Sequence, residues 1–189
     1  MTLRFLLPLL LAAAPLAASA QLAEAQTRLK SAVTEVLTVA DRAGSRSSLP
    51  EKLRPVLNKY VSFETMTKRA VGPGWRQFTP AQQQQATQLF STLIIRSYSG
   101  KFTPGEHPAI TYQTAVSPAA GRVDVPTSMV YLGSQYSVTY RMEQMRITDV
   151  VIEGVSLIAN YRSQLDAQFK KGGANGVISS LTQSVSRAQ

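Results

Sequence analysis

Few side chains in this sequence can do covalent chemistry. It holds no cysteine and a single histidine, which excludes thiolate nucleophiles, disulfide frameworks, thiolate metal sites, His-rich metal clusters and His dyads. That histidine, His107, stands in Gly105-Glu106-His107-Pro108 with no patterned partner, and reads as an exposed loop imidazole. Asp149 and Glu153 fall four apart on one predicted strand face, so at ~3.3 Å per residue they stand ~13 Å apart, beyond the ~5 to 9.5 Å of paired-carboxylate sites. Glu153 is expected instead to bond backbone groups where the strand turns at Gly154. No G-x-S-x-G elbow, P-loop or H-E-x-x-H occurs, and the many serines lack a base that would make one a nucleophile. No catalytic residue, no metal ligand set and no cofactor are expected.

Charge says more. Lys and Arg number 20 against 11 acidic residues, a net charge of +9 with a pI near 10.1, so the expected partners are anionic. The basic residues are scattered rather than run together. Lys68, Arg69 and Arg76 flank Gly72-Pro73-Gly74 and are the expected docking surface.

The N-terminus has the form of an export signal, residues 1–20. Arg4 precedes the apolar stretch from Phe5 to Ala18, and Ala18-Ser19-Ala20 is a small-x-small cleavage site. The stretch is shorter than the ~20 apolar residues of a spanning helix and contains Pro8 and Pro15. No cysteine follows the cleavage site, so no lipoprotein anchor forms. The reading is an exported, periplasmic monomer occupying residues 21–189 as one domain. Such a chain meets lipid headgroups and acidic proteins rather than nucleic acid.

The elements that must position any site follow from periodicity. Leu22, Ala25, Leu29, Ala32, Val33, Val36, Leu37 and Ala40 recur at three- and four-residue steps, the stripe of a long amphipathic helix. Ser48-Leu49-Pro50-Glu51 and Thr79-Pro80-Ala81-Gln82 read as capping boxes that open further helices. Gly72-Pro73-Gly74 breaks the chain between them. After Gly100 the period becomes 2, and four strands are expected, around Ile110–Val116, Val123–Tyr131, Tyr136–Met142 and Ile147–Val155. Helix resumes at Ser156, stops at Lys171-Gly172-Gly173, and a last helix carries Val177, Ile178, Leu181 and Val185. This is an α+β domain: helical N-terminal half, four-stranded antiparallel sheet, C-terminal helices. The sheet is rich in Tyr and Met, which suit either a filled core or a soft lining for a flexible apolar ligand. Alternation alone leaves both open.

Two segments together resemble a known family. Tyr60-Val61-Ser62-Phe63-Glu64-Thr65-Met66-Thr67-Lys68-Arg69-Ala70-Val71-Gly72, with Trp75-Arg76 and Thr79-Pro80-Ala81-Gln82, is similar to the first half of the MlaC, or toluene-tolerance auxiliary, family. Asp149-Val150-Val151-Ile152-Glu153-Gly154-Val155-Ser156-Leu157-Ile158-Ala159-Asn160-Tyr161-Arg162-Ser163-Gln164 is similar to its most recognisable stretch. The sequence departs from the family at Met142-Glu143-Gln144-Met145-Arg146, which lacks the usual Gly and Trp of a longer hairpin, and at Leu165, where Phe is common. Both departures are expected to alter the cavity mouth.

The resemblance implies an NTF2-like fold with an apolar cavity between helices and sheet. It further implies a periplasmic carrier that shields phospholipid acyl chains and shuttles lipid between outer- and inner-membrane Mla complexes, the latter an ABC transporter, with transient membrane contact. A hopanoid-type lipid is the alternative cargo; an exported enzyme on the same scaffold using His107 or Asp149, or a structural adaptor, are the alternative functions. Alternation laid on that cavity selects Tyr98, Tyr112, Val125, Met129, Val138, Tyr140, Val150, Ile152, Leu157 and Tyr161 as lipid-binding residues, with Val151 replacing Val150 and Ile152 if the fourth strand faces the other way.

The charge generates a kinetic prediction. Lipid transfer to acceptor vesicles should slow as salt rises from about 25 to about 300 mM, a roughly 3.5-fold shortening of the Debye length, chiefly through association rate. Stopped-flow transfer measures this, and a flat rate would reduce the charge to a solubility feature.

Overall fold

The computed structural model describes residues 14–100, 103 and 105–188. Most of the expected export signal lies outside them. The helical elements are α1 (Ala14–Asp41), α2 (Leu49–Tyr60), α3 (Phe63–Val71), a 3-10 turn (Gly72–Gln77), α4 (Pro80–Ser99) and α5 (Leu157–Arg187). The strands are β1 (Ala109–Tyr112), β2 (Val116–Ala119), β3 (Arg122–Tyr131), β4 (Ser134–Glu143), β5 (Arg146–Ile152) and β6 (Val155–Ser156).

Helices and one antiparallel sheet form the α+β architecture that the sequence predicts, but the sheet among the described residues has six strands rather than four. The order is β1-β3-β4-β5-β6, with β2 also pairing on β3. The expected first strand is broken into β1 and β2, which lie along the same edge of β3: Ala109 opposes Val130 at one end and Val116 opposes Asp124 at the other. The expected fourth strand folds back where Glu153 (φ 49°) and Gly154 (φ 77°) make a tight turn, and Val155-Ser156 returns as β6 beside β5.

Local chemistry explains most boundaries. At α4 the capping box forms as expected: Gln82 N–H donates to Thr79 Oγ1 at 3.3 Å and Thr79 N–H to Gln82 Oε1 at 2.9 Å. At α2 the expected box does not form. Ser48 is in the αR region without a side-chain cap, its hydroxyl donating instead to the Ala43 carbonyl at 2.7 Å. The glycine break in the last helical region is present, since Gly173 has φ 58° and kinks α5 into two helical halves. Gly176 lets the halves meet: a Cβ there would stand 2.7 Å from the Gln168 carbonyl oxygen.

Much of the core lies between α3, α4, α5 and one half of the sheet. Phe90, Met66, Val71, Val125, Met142, Val177 and Leu181 are fully buried there. Trp75, Phe78 and Phe169 stack in series at 5.3 and 6.1 Å, and Tyr161 meets Phe90 edge-on at 5.2 Å. Gly74 permits this, because a Cβ on it would lie 2.8 Å from the Phe169 ring.

Asp149 ties sheet to helix. Buried on β5, it accepts from Arg141 Nη1 at 3.0 Å, Ser156 Oγ at 2.7 Å and the backbone N–H of Ile158 at 3.2 Å. The carboxylate therefore neutralises a guanidinium and caps the start of α5 at once. Asp149→Ala should destabilise the fold by about 2 to 3 kcal/mol, because the buried Ile158 N–H and the Ser156 hydroxyl lose their acceptor and Arg141 keeps only the more distant Asp124. Asn should restore part of this; equilibrium urea unfolding of both variants measures it.

Candidate functional site

The β3–β4 register assigns the concave face of the sheet. Met129 opposes Tyr136, Thr127 opposes Val138, Val125 opposes Tyr140 and Val123 opposes Met142. On β5, Ile152 opposes Val138 and Val150 opposes Tyr140, so this face continues through Val150 and Ile152, not Val151. Directly opposed residues share a face.

That face divides in two. Toward Glu143, Val123, Val125 and Met142 are 2%, 0% and 2% exposed, buried in one cluster with Ala25 and Leu29 of α1 and with side chains of α3, α4 and α5. Toward the β3–β4 turn, a cavity of about 870 Å³ is left between the sheet and the helical layer, to which α1 and α2 contribute much of the wall. The helical wall there is built from short aliphatic side chains, among them Ala32, Val33, Val36, Leu53 and Leu57. Phe63 and Met66 of α3 reach the same wall, whereas Phe90 is packed away from it.

Seven of the ten side chains that the sequence selects stand on this wall: Tyr98, Met129, Val138, Tyr140, Val150, Ile152 and Leu157. Three do not. Val125 belongs to the filled half of the face. Tyr112, on edge strand β1, packs beside the hollow with Lys30 Nζ 5.3 Å above its ring. Tyr161 turns from the cavity to meet Phe90. The wall contributed by α1 and α2 was missed as a lining, although its residues form the stripe that sequence periodicity exposes. A helical stripe has the same appearance over a core and over a hollow.

The polar atoms of the wall are few and mostly hydroxyls. Tyr60 is spent on structure, its O–H donating to Glu35 Oε1 at 2.6 Å while Lys59 bonds the same oxygen at 2.5 Å. These hydrogen bonds, Lys59 first, hold the Glu35 carboxyl below its ordinary range. Tyr140 lies deep, and burial, with Tyr112 adding to it, pushes its phenol up to about 12. Burial also raises the phenols of Tyr98 and Tyr112. Neutral phenols on an apolar wall offer hydrogen-bond capacity without charge.

The groups capable of chemistry are not assembled. His107 Nε2 is 2.9 Å from Asp41 Oδ1 at the exposed end of α1, whereas Asp149 is held in the knot between β5 and α5. Glu153 accepts from the Ser137 N–H, the backbone role expected of it. No cluster of metal-ligating residues occurs among the described residues.

The docking residues and the shortened hairpin lie away from the mouth. Arg69 donates to both oxygens of Glu143 at 2.7 Å, at the end of β4 remote from the β3–β4 turn. Lys68 and Arg76 are exposed. The tight turn at Gln144-Met145 is at that remote end too, so the sequence's departure there leaves the mouth untouched. A second, polar recess of about 630 Å³ opens beside it. Its charges are already engaged, Arg122 by Asp124, Glu143 by Arg69 and Arg146 by the carbonyls of Asn58 and Val61.

Comparison with known proteins places this geometry. The model of the MlaC protein family matches residues 28–183. The structure is similar to that of a phospholipid-binding protein from Ralstonia solanacearum solved in complex with a phospholipid, with a TM-score of 0.78 and 26% identity over 87% of this chain and 98% of that one. No match is found among curated proteins.

The buried phenol yields a pH prediction. Tyr140 is neutral in the fold until about 12 but ionises near 10 when unfolded, so its contribution to stability is intact below pH 10 and is lost as pH climbs from 10 toward 12. Over that window the native protein should lose about 2 to 3 kcal/mol more than Tyr140→Phe does. Urea unfolding at stepped alkaline pH measures the difference, and parallel curves would show that the phenol is solvated.

Proposed function

Because the chain belongs to the MlaC family, we propose that it is a periplasmic lipid carrier, exported with removal of residues 1–20, that receives a phospholipid, encloses its acyl chains in the cavity, and passes the lipid between outer- and inner-membrane Mla complexes as a monomer. The observation that carries this reading is the division of one sheet face into a packed half and a hollow apolar half. The phospholipid bound by the Ralstonia neighbour supports phospholipid over a hopanoid-type cargo. The carrier binds and releases; it carries out no covalent step.

Size agrees with the cargo. A methylene occupies close to the ~30 Å³ of a water molecule in the liquid, so about 870 Å³ accommodates on the order of thirty methylenes, roughly two chains. Exposing that many methylenes to water would cost on the order of 24 kcal/mol at ~0.8 each, which prevents free diffusion between membranes. The wall replaces the bilayer interior on near-equal terms. A wall that held chains much more tightly would stop delivery, and one with charged anchors would select against apolar chains.

Met129, on β3 against Tyr136, tests the proposal. Met129→Glu should abolish uptake of fluorescent phospholipid from vesicles, since the carboxylate must either stay charged among chains or exclude them. It should cost less stability than a charge in the packed half, because the open hollow admits water. Uptake at the native rate contradicts a lipid-filled cavity; joint loss of folding and uptake points to a filled core.

A further inference from the structure

The two-residue turn joining β3 and β4 is built against local preference. Leu132 holds φ 51°, in the left-handed region that Gly and Asn adopt readily and a leucine does not. Its side chain is 69% exposed. Asn in its place, before Gly133, would make the same turn without strain or exposed apolar surface. Gln144, Met145 and Glu153 also have positive φ, but Met145 packs on the core, Glu153 bonds Ser137 N–H, and Gln144 is a polar side chain for which exposure costs nothing. Among these four, Leu132 is the one apolar side chain that is exposed to solvent. Backbone strain of this kind is found where a side chain is presented for contact.

The position is the lip of the cavity. Tyr131 before it and Ser134 after it stand on the wall. Val155, 62% exposed, opens β6 opposite Ile152, level with Val138 and so four residues back from the start of β4, and Val130, 44% exposed, is on the face of β3 away from the cavity. Across the opening, Arg46 Nη2 donates to Thr103 Oγ1 at 3.0 Å, and Thr103 N–H donates to the Tyr131 hydroxyl at 2.9 Å. A guanidinium is thereby tied to the same lip. Arg42 and Lys52 are exposed on that corner, with Asp41, Glu51 and Glu106 as its acids.

We propose that this lip, with Leu132 at its tip, inserts into the headgroup layer of an anionic bilayer during exchange, so that acyl chains pass between cavity and membrane without crossing water. The proposal rests on the carrier reading. A bilayer suits the lip better than a protein, because a specific protein interface needs about 1,000 Å² or more. One apolar tip offers far less. A few apolar side chains are sufficient for transient interfacial anchoring, and although the charges of this corner balance, the net charge of +8 that is left when residues 1–20, with Arg4, are removed favours an anionic surface. The patch around Lys68, Arg69 and Arg76 has charge but no opening into the cavity.

Leu132→Asn separates contact from folding, since Asn relieves the positive φ and the variant should melt at or above the native temperature. Its transfer of fluorescent phospholipid to phosphatidylglycerol-containing vesicles should fall on the order of tenfold, the scale of one lost leucine contact. A second variant reads insertion directly. Trp75 is buried, so a blue shift in the emission of Leu132→Trp on adding those vesicles reports the tip alone. Native-rate transfer by Leu132→Asn, or no shift in Leu132→Trp at saturating vesicle, overturns the proposal. Slowing confined to transfer onto membrane proteins, with pure vesicles served normally, also overturns it and assigns the lip to a protein partner. If the native protein neither carries nor transfers lipid, the carrier reading itself fails, an outcome distinct from a lipid-loaded protein whose lip is inert.

Discussion

An apolar hollow inside a protein is unstable unless something fills it. At ~24 cal/mol per Å³, the relation measured for cavities left in cores, a closed void of about 870 Å³ would cost on the order of 20 kcal/mol. That exceeds the ~5 to 15 kcal/mol that holds a typical domain together. The open mouth lowers the figure because part of the volume meets solvent, yet water gains few hydrogen bonds from such a wall. The remaining architecture can be understood as a frame that tolerates this hollow, and the cargo as the material that completes the core.

The frame works by separating tasks along one sheet. Toward Glu143, the stacked aromatics Trp75, Phe78 and Phe169 and the buried Phe90 supply packing without reference to any ligand. The Asp149 knot fixes α5 to β5 and hence the helical layer to the sheet. Helices α1 and α2 are held by contacts outside the cavity: Lys59 and Tyr60 on Glu35, and Arg28 on the Lys59 carbonyl and, at the far end of the sheet, on that of Met145. Those bonds keep the wall in place while its inner surface stays apolar.

The sequence was informative about elements and silent about emptiness. Period changes located the helices and the sheet, and Thr79 with Gln82 marked the start of α4. Ser48 misled because its hydroxyl closes the preceding turn rather than capping α2, a choice that depends on the Ala43 carbonyl being within reach. The extra strands β2 and β6 arise from turns at Gln113–Ala115 and Glu153-Gly154 that alternation cannot resolve. On the sheet, alternation picked the correct face, including Met129, Val138, Tyr140 and Val150. It could not separate Val125, in the packed half, from Val138, in the hollow half. That boundary is set by which helix stands opposite, a tertiary fact. For the same reason the α1 stripe through Val33 and Val36 read as core. Lys68, Arg69 and Arg76 looked like a free basic cluster, and only folding brings Glu143 to Arg69.

If the hollow is a lipid site, the native protein should carry lipid in it. Native mass spectrometry of protein purified gently from the export compartment, with the lipid identified after release, tests it most directly. The account predicts a complex of about one phospholipid per chain, in keeping with the roughly thirty methylenes that the volume admits. A chain that is always lipid-free, and that takes up none on incubation with vesicles, would contradict it.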